Sequence, residues 1–294
     1  MVVRRRSLAI LVSLAVVVGL GVYVAKRVVD GGLPLPRANR MCTVYETSQD
    51  RAGMKTRKIR LTSAQMANAA TIAAVGMRRK LPERAIVVAL ATAFQESSME
   101  NLAGGDRDSV GLFQQRPSQG WGAVEQIRDP RYAANQFYAA LEKVRGWEQM
   151  RVTDAAQTVQ RSAFPEAYEK WADEAEVLTS ALVGRTTGAV ACSVAPEPAM
   201  RGSAAAATLA AELDLDWGRL PTKTPKELLG VALPVTDAQI GWRYAHWLVS
   251  QASRTGVKQV RFGNRQWTAD DGRWLAKPGA ASPDLVLAEV FPDI

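Results

Sequence analysis

Residues 94–122 read FQESSMENLAGGDRDSVGLFQQRPSQGWG, and the most informative residue among them is Glu96. The segment before Glu96 predicts a buried helix, because its apolar residues recur at helical spacing: Ile86, Ala89, Leu90, Ala93 and Phe94. Burial and the C-terminal end of a helix both disfavour negative charge and raise the pKa of a carboxyl group. A carboxyl group that keeps its proton at neutral pH can serve as a general acid.

Residues 61–184 predict an all-α domain around this helix. Thr62-x-x-Gln65 is a capping box that opens one helix, and Pro82 stands at the first turn of the next. Later helix starts are predicted at Asp129-Pro130, Thr153-Asp154 and Pro165. No alternating strand pattern interrupts the segment, and about 120 residues are enough for one hydrophobic core.

The flanking segments differ in composition. Residues 28–60 predict a stalk, with Gly and Pro followed by a polar basic stretch, and residues 185–236 predict a linker interrupted by prolines. Residues 237–294 predict a small α+β module with a helix, a hairpin turning at Gly263-Asn264 and a third strand over 285–291. The expected architecture is therefore mainly α, with a small α+β module at the C-terminus.

The N-terminal residues 1–27 predict a transmembrane signal-anchor. Three arginines precede 19 uncharged residues, 7–25, and a helix of that length spans roughly 28 Å. A cleaved signal peptide is the alternative, but the apolar run is longer than usual and no Ala-x-Ala site follows it. We expect a single-pass protein of the cell membrane with its soluble part outside the cytoplasm.

Charge and cysteine content narrow the function classes. The formal net charge is +8, but residues 1–40 carry +6 of it, so the remaining chain has no broad phosphate-binding face and nucleic-acid binding is not expected. A chain with one His and two Cys predicts neither a multi-histidine zinc site nor a four-cysteine cluster. The two cysteines, Cys42 and Cys192, bracket the central region and predict a disulfide, which requires an oxidising compartment; two free thiols are the alternative.

The motifs Glu96-Ser97 and Gly111-Leu112-Phe113-Gln114 resemble those of the lysozyme-like, soluble lytic transglycosylase superfamily. The longer runs GDRDSVGLFQQRPSQGWG (105–122) and VQRSAFPEAY (159–168) are closer to the lysozyme-like domains of actinobacterial cell-wall proteins. The similarity covers about residues 61–182. It implies a lysozyme-like helical fold and, as partner, the glycan strand of peptidoglycan.

The resemblance also implies roles for individual residues. Glu96 would protonate the glycosidic oxygen between N-acetylmuramic acid and N-acetylglucosamine, while Ser97 and Gln114 would line the floor of the cleft. The third family motif, usually Ala-Tyr-Asn-Ala-Gly, is absent; residues 163–165 (Ala-Phe-Pro) or Tyr168 stand in its place as substrate contacts. No cofactor or metal is implied, and protein partners cannot be named.

Glycoside hydrolysis usually needs a second carboxyl group, and Asp106 and Asp108 are the candidates on the loop after Glu96. If neither faces Glu96, the acetamido group of the substrate could assist, and the products would carry an anhydro ring. The leading hypothesis is therefore a lytic transglycosylase or muramidase. The alternative is a non-catalytic peptidoglycan-binding or scaffold protein that keeps the cleft without turnover.

Overall fold

The computed structural model describes residues 41–50, 53–195, 198 and 200–293. Among these residues, no helix is both long and apolar enough to cross a bilayer. The predicted signal-anchor, residues 1–27, lies outside the described residues, as does the first part of the predicted stalk, residues 28–40.

Eight α-helices occur in the described part of the chain. They are α1 Ser63–Arg78, α2 Glu83–Ser97, α3 Val124–Ile127, α4 Pro130–Leu141, α5 Val152–Gln160, α6 Ala172–Leu182, α7 Gly202–Trp217 and α8 Ala238–Thr255. The capping box that was predicted for α1 is confirmed. The Thr62 hydroxyl accepts from the Gln65 N–H, and the Gln65 side chain accepts from the Thr62 N–H at 2.8 Å.

The strands form two antiparallel sheets. They are β1 Met41–Asp50, β2 Gly53–Thr62, β3 Val190–Cys192, β4 Gly230–Pro234, β5 Val257–Phe262, β6 Arg265–Thr268, β7 Trp274–Ala276 and β8 Leu285–Val290. The first sheet has the order β2-β1-β3, and the second has the order β4-β8-β5-β6-β7.

The expected mainly-α class is wrong. The structure is 45% helical with 19% strand, a mixed α/β composition. The largest departure is at residues 41–62, most of which were predicted to be stalk. Burial alternates along the described parts of both strands. Cys42 and Val44 of β1 are buried beside the partly exposed Thr43 and the exposed Tyr45, and Leu61 of β2 is buried next to the exposed Arg60, which is the period of two that a half-buried strand requires. Basic side chains on the outward positions concealed this pattern.

Residues 185–236, predicted as a linker, also contribute to the fold. They contain all of β3, α7 and β4. Helix α7 buries Ala205, Leu209 and Leu213, and β4 pairs with β8 along its whole length. Residues 40–294 accordingly cluster as one compact unit. The hairpin predicted at Gly263-Asn264 is confirmed, since Phe262 pairs with Arg265 across a two-residue turn.

The hydrophobic core surrounds α2, whose residues 85–94 are all buried. Helices α1, α4, α5 and α6 all contact α2. Small residues on α2, mostly Ala, permit these close approaches. Cys42 of β1 and Cys192 of β3 are bonded, which ties the first sheet together across 150 residues of sequence. A rigid central helix of this kind gives its last turn a fixed position.

Candidate active site

Glu96 lies in the last turn of α2, half-buried at the wall of a groove. The helix ends immediately afterwards, because Ser98 adopts a left-handed backbone (φ 53°) and the N–H of Met99 turns back to bond to the Ala93 oxygen (3.0 Å). Phe94 stacks on Trp171 with 5.0 Å between ring centroids, and the Trp171 indole N–H donates to the Gln95 side chain (3.1 Å). These contacts bring the segment before α6 alongside the end of α2.

Two neutral side chains hydrogen-bond to the Glu96 carboxyl. The Tyr168 hydroxyl donates to Oε1 at 2.5 Å, and Gln160 is the second partner. Gln160 is itself held by a bond from its Nε2 to the Phe113 oxygen (2.7 Å). Burial raises the pKa of Glu96 above its ordinary value, and the bonds from Tyr168 and Gln160 lower it again in part. Among the residues that the structure describes, no salt bridge joins a cation to this carboxyl group, so Glu96 holds its proton more tightly than a solvated glutamate does.

Tyr168 was predicted to contact substrate, but it is fully buried and instead contacts Glu96. Burial, followed by the neighbouring Glu96 charge, raises the pKa of Tyr168 far above neutrality, so its hydroxyl stays a donor. Tyr168 therefore positions the carboxyl group and does not line the groove.

The Glu96 groove has a volume of about 500 Å³. Its lining includes the predicted residues Asp106 and Gln114, together with Trp121, Gln160 and the exposed ring of Phe164. A carboxyl group, amides and aromatic faces arranged in this way suit a polar ligand with apolar ring faces, because such rings stack on aromatic side chains while their hydroxyls bond to amides.

The two candidate second carboxylates differ in their surroundings. Asp106 lines the groove, but 94% of its side chain is exposed and its nearest cation, Arg107, is 3.9 Å away. Asp108 accepts from Arg116 Nε (2.8 Å) and from the Ser118 N–H (2.8 Å). These bonds hold the pKa of Asp108 well below its usual range, and both of its oxygens are engaged in closing the loop. Asp108 is thus a structural residue.

Ser97 was predicted on the cleft floor, but it is buried and its hydroxyl donates to the Leu112 oxygen at 2.7 Å. It thereby joins the end of α2 to the Gly-Leu-Phe-Gln segment. Gln114 does line the groove; its side-chain oxygen accepts from Ser109 (2.9 Å) and its amide donates to the Gly111 oxygen (3.1 Å). A Cβ on Gly105 would lie 1.7 Å from the Gln114 oxygen, so any other residue there would displace the Gln114 side chain from its present position.

Several non-glycine residues at or near the groove have left-handed backbone. Arg107, Gln114 and Arg161 line the groove, and Ser98 and Met99 follow the helix that ends beside Glu96. Each such residue costs free energy that the surrounding packing must offset, and residues of this kind cluster at functional sites.

No group of three or more His, Cys, Asp and Glu side chains that could hold a metal occurs among the residues that the structure describes. His246 is fully buried; its Nε2 accepts from the Ala189 N–H (2.9 Å) and its Nδ1 contacts the Ala181 oxygen (2.7 Å). Burial lowers the pKa of His246 to about 4, so it is a neutral packing residue.

Gln160 is the residue that sequence reasoning missed. It lies within the quoted run 159–168, but 64 residues separate it from Glu96, and no local pattern marks a glutamine as the partner of a distant carboxyl group. No protein-family model and no curated protein matches this chain.

Proposed function

We propose that this protein cleaves the glycan strand of peptidoglycan, with Glu96 as the general acid and base. The observation that carries the proposal is the setting of the Glu96 carboxyl group. It is half-buried, and burial raises its pKa. It is hydrogen-bonded only to neutral partners and faces a groove. The resemblance of residues 94–122 to lytic transglycosylases supports the choice of substrate. A proton donor of this kind contributes about 10²–10⁴-fold to a glycosidic cleavage.

The reaction proceeds with one protein carboxyl group. Glu96 donates its proton to the glycosidic oxygen as the bond to C1 of the muramic acid breaks. The acetamido oxygen of the same sugar forms a bond to C1. The 6-hydroxyl then displaces that oxygen at C1, and the Glu96 carboxylate takes the hydroxyl proton. The products are a free 4-hydroxyl and a 1,6-anhydro sugar, and no water is consumed.

This route is favoured over hydrolysis by a second carboxylate because neither candidate is held as a nucleophile. The oxygens of Asp108 are occupied by Arg116 and Ser118. The Asp106 side chain is almost fully solvated, so it lacks the fixed geometry that a retaining or inverting pair requires.

We place the activity outside the cytoplasm at the cell membrane. The uncharged segment 7–25 supports a single-pass anchor, and the bond between Cys42 and Cys192 supports an oxidising compartment. An anchored enzyme would act on the wall nearest the membrane.

The test uses the full chain, purified in detergent, on isolated sacculi. We expect release of soluble fragments that carry 1,6-anhydro ends by mass spectrometry, and about a 10³-fold loss of release in Glu96→Gln. Glu100→Gln, an exposed carboxyl group just beyond the helix end, is the matched control and should behave as wild type. Binding to sacculi without release, unchanged by Glu96→Gln, would instead establish a wall-binding protein.

Asp106→Asn separates the two routes. We expect it to change the release rate by less than about fivefold, well below the contribution of a catalytic carboxyl group. A loss comparable to that of Glu96→Gln, together with reducing-end products from the wild type, would show that Asp106 is the second carboxylate of a hydrolase.

A further inference from the structure

The Glu96 groove continues into a second cavity with a volume of about 890 Å³. The two cavities share four lining residues, Gln119, Trp121, Gln160 and Arg161. The second cavity therefore adjoins the Glu96 groove at Trp121 and Gln160.

Three cationic residues line the second cavity, and we call Lys143, Arg145 and Arg161 the basic arm. All three are exposed, and no Asp or Glu belongs to the cavity lining. Within the described part of the chain, no salt bridge joins any of the three to an acidic side chain. The adjacent acid Glu142 pairs with Arg79 instead.

Like charges gathered in a concave site repel one another and create a positive potential that attracts anions. Apolar side chains lie between the cations, among them Val144, Met150 and Val159. A complementary ligand therefore carries carboxylates on a chain with small apolar groups. A bare phosphate would leave these apolar side chains uncovered, and a neutral sugar would leave the three cations unpaired.

We infer that the basic arm binds the carboxylates of the peptide that muramic acid carries, so that the enzyme favours peptide-bearing strands over peptide-free ones. This inference rests on the proposed function. While a peptide is attached, the lactyl carboxyl of its muramic acid is tied up in an amide bond, so the sugars are uncharged and the free carboxylates lie on the peptides, beside alanine-type side chains. The peptide would leave the Glu96 groove past Trp121 and enter the second cavity.

The experiment compares soluble, uncross-linked strands that retain their peptides with the same strands after enzymatic removal of the peptides and conversion of the exposed lactyl carboxyl groups to methylamides, which leaves the peptide-free strands uncharged. The double variant Lys143→Gln/Arg145→Gln removes two charges and keeps Arg161, which also lines the Glu96 groove. For the full chain in detergent, we expect KM on peptide-bearing strands to rise about three- to tenfold, in the range of two exposed ion pairs. The rise on peptide-free strands should be clearly smaller.

The matched control is Arg273→Gln/Lys277→Gln, which removes the same charge from exposed positions flanking β7. Its KM on both substrates should equal that of the wild type. The wild-type preference for peptide-bearing strands should also weaken as salt is raised from about 20 to 200 mM, since exposed ion pairs are screened.

The outcomes distinguish this inference from the proposed function. If the wild type cleaves both substrates but the basic-arm variant raises both KM values equally, peptide recognition is refuted while strand cleavage stands. If the wild type cleaves neither substrate, the proposed function fails. In that case, co-sedimentation of Glu96→Gln with sacculi, with and without the basic-arm substitutions, measures anion binding independently of turnover. Equal binding by the two variants would refute peptide binding by the basic arm as well.

Discussion

Two buried carboxyl groups of this protein, Glu96 and Asp216, differ in the partners that surround them. Burial raises the pKa of both. Glu96 has a hydroxyl and an amide as partners and faces a groove. Asp216 is fully buried and accepts from Arg131 Nε (2.6 Å), the Trp247 indole N–H (2.7 Å) and the Thr71 hydroxyl (3.0 Å).

The partners determine what each carboxyl group does. A guanidinium group and two further donors compensate the charge of Asp216. These hydrogen bonds connect four helices, because Thr71 is on α1, Arg131 on α4, Asp216 on α7 and Trp247 on α8. Glu96 has only neutral hydrogen-bond partners, so burial makes it hold its proton more tightly than a solvated glutamate does. Burial alone therefore does not distinguish the two carboxyl groups; the absence of an ion-pair partner and the open groove are what support the proposed role of Glu96.

The largest effect is expected from Asp216→Ala. The substitution leaves the mostly buried guanidinium of Arg131 without this partner, and breaking such a pair costs about 3–5 kcal/mol of unfolding free energy. Urea denaturation of the full chain measures this loss. The neighbouring exposed Asp214→Ala is the control and should stay within about 0.5 kcal/mol of wild type. Equal effects of the two substitutions would contradict the role of Asp216 in connecting the four helices.

A smaller effect is expected from Tyr168→Phe, which removes a donor from Glu96 and keeps the ring. We expect about a tenfold loss of kcat, because the carboxyl group loses its fixed orientation. The bond from Tyr168 lowers the pKa of Glu96, so its removal raises that pKa and moves the alkaline limb of the pH–rate profile to higher pH. If kcat falls but the alkaline limb of the pH–rate profile stays at the same pH, Tyr168 has only a structural role.

Tyr244→Phe is the matched control for this prediction. Tyr244 packs edge-on against Trp217 and is not part of the Glu96 groove. Its substitution should leave both kcat and the pH profile unchanged.

The smallest effect is expected from Glu96→Gln on stability. Because the folded pKa of Glu96 is raised, the folded state binds its proton more tightly than the unfolded state, and wild-type stability falls as pH rises from the ordinary value of 4.5 through the raised pKa. Glutamine does not titrate, so the variant should gain about 2–4 °C in Tm over wild type above that window. The gain should vanish below pH 4. A gain that is independent of pH would show that Glu96 is not destabilised by its charge.

Local signals in the sequence predicted local structure correctly. The capping box of Thr62 and Gln65 and the two-residue turn at Gly263-Asn264 depend on contacts within a few residues, so their chemistry can be read from the chain directly. The position of Glu96 at the end of a buried helix follows from the apolar spacing before it, and the structure has the same arrangement.

Predictions that depend on distant partners were less successful. The segment that forms β2 was predicted as a stalk because its sequence is polar and basic. Its pairing with β1, and the bridge from Cys42 to Cys192, join residues that are distant in sequence and leave no local pattern. Ser97 and Tyr168 were expected to meet substrate, yet both are buried in positioning contacts. Gln160 carried no local sign of its bond to Glu96.

The sequence by itself determined the capped start of α1, the hairpin turn and the position of one carboxyl group at the end of a buried helix, because these depend on backbone geometry over a few residues. It placed the start of the last helix of the domain at Pro165, whereas α6 begins at Ala172. Only the tertiary structure decided which of its polar residues meet. It brought Tyr168 and Gln160 to Glu96, turned Asp108 towards Arg116 and gathered the basic arm beside the groove. Those encounters depend on how helices pack across the core, and no short-range interaction encodes them.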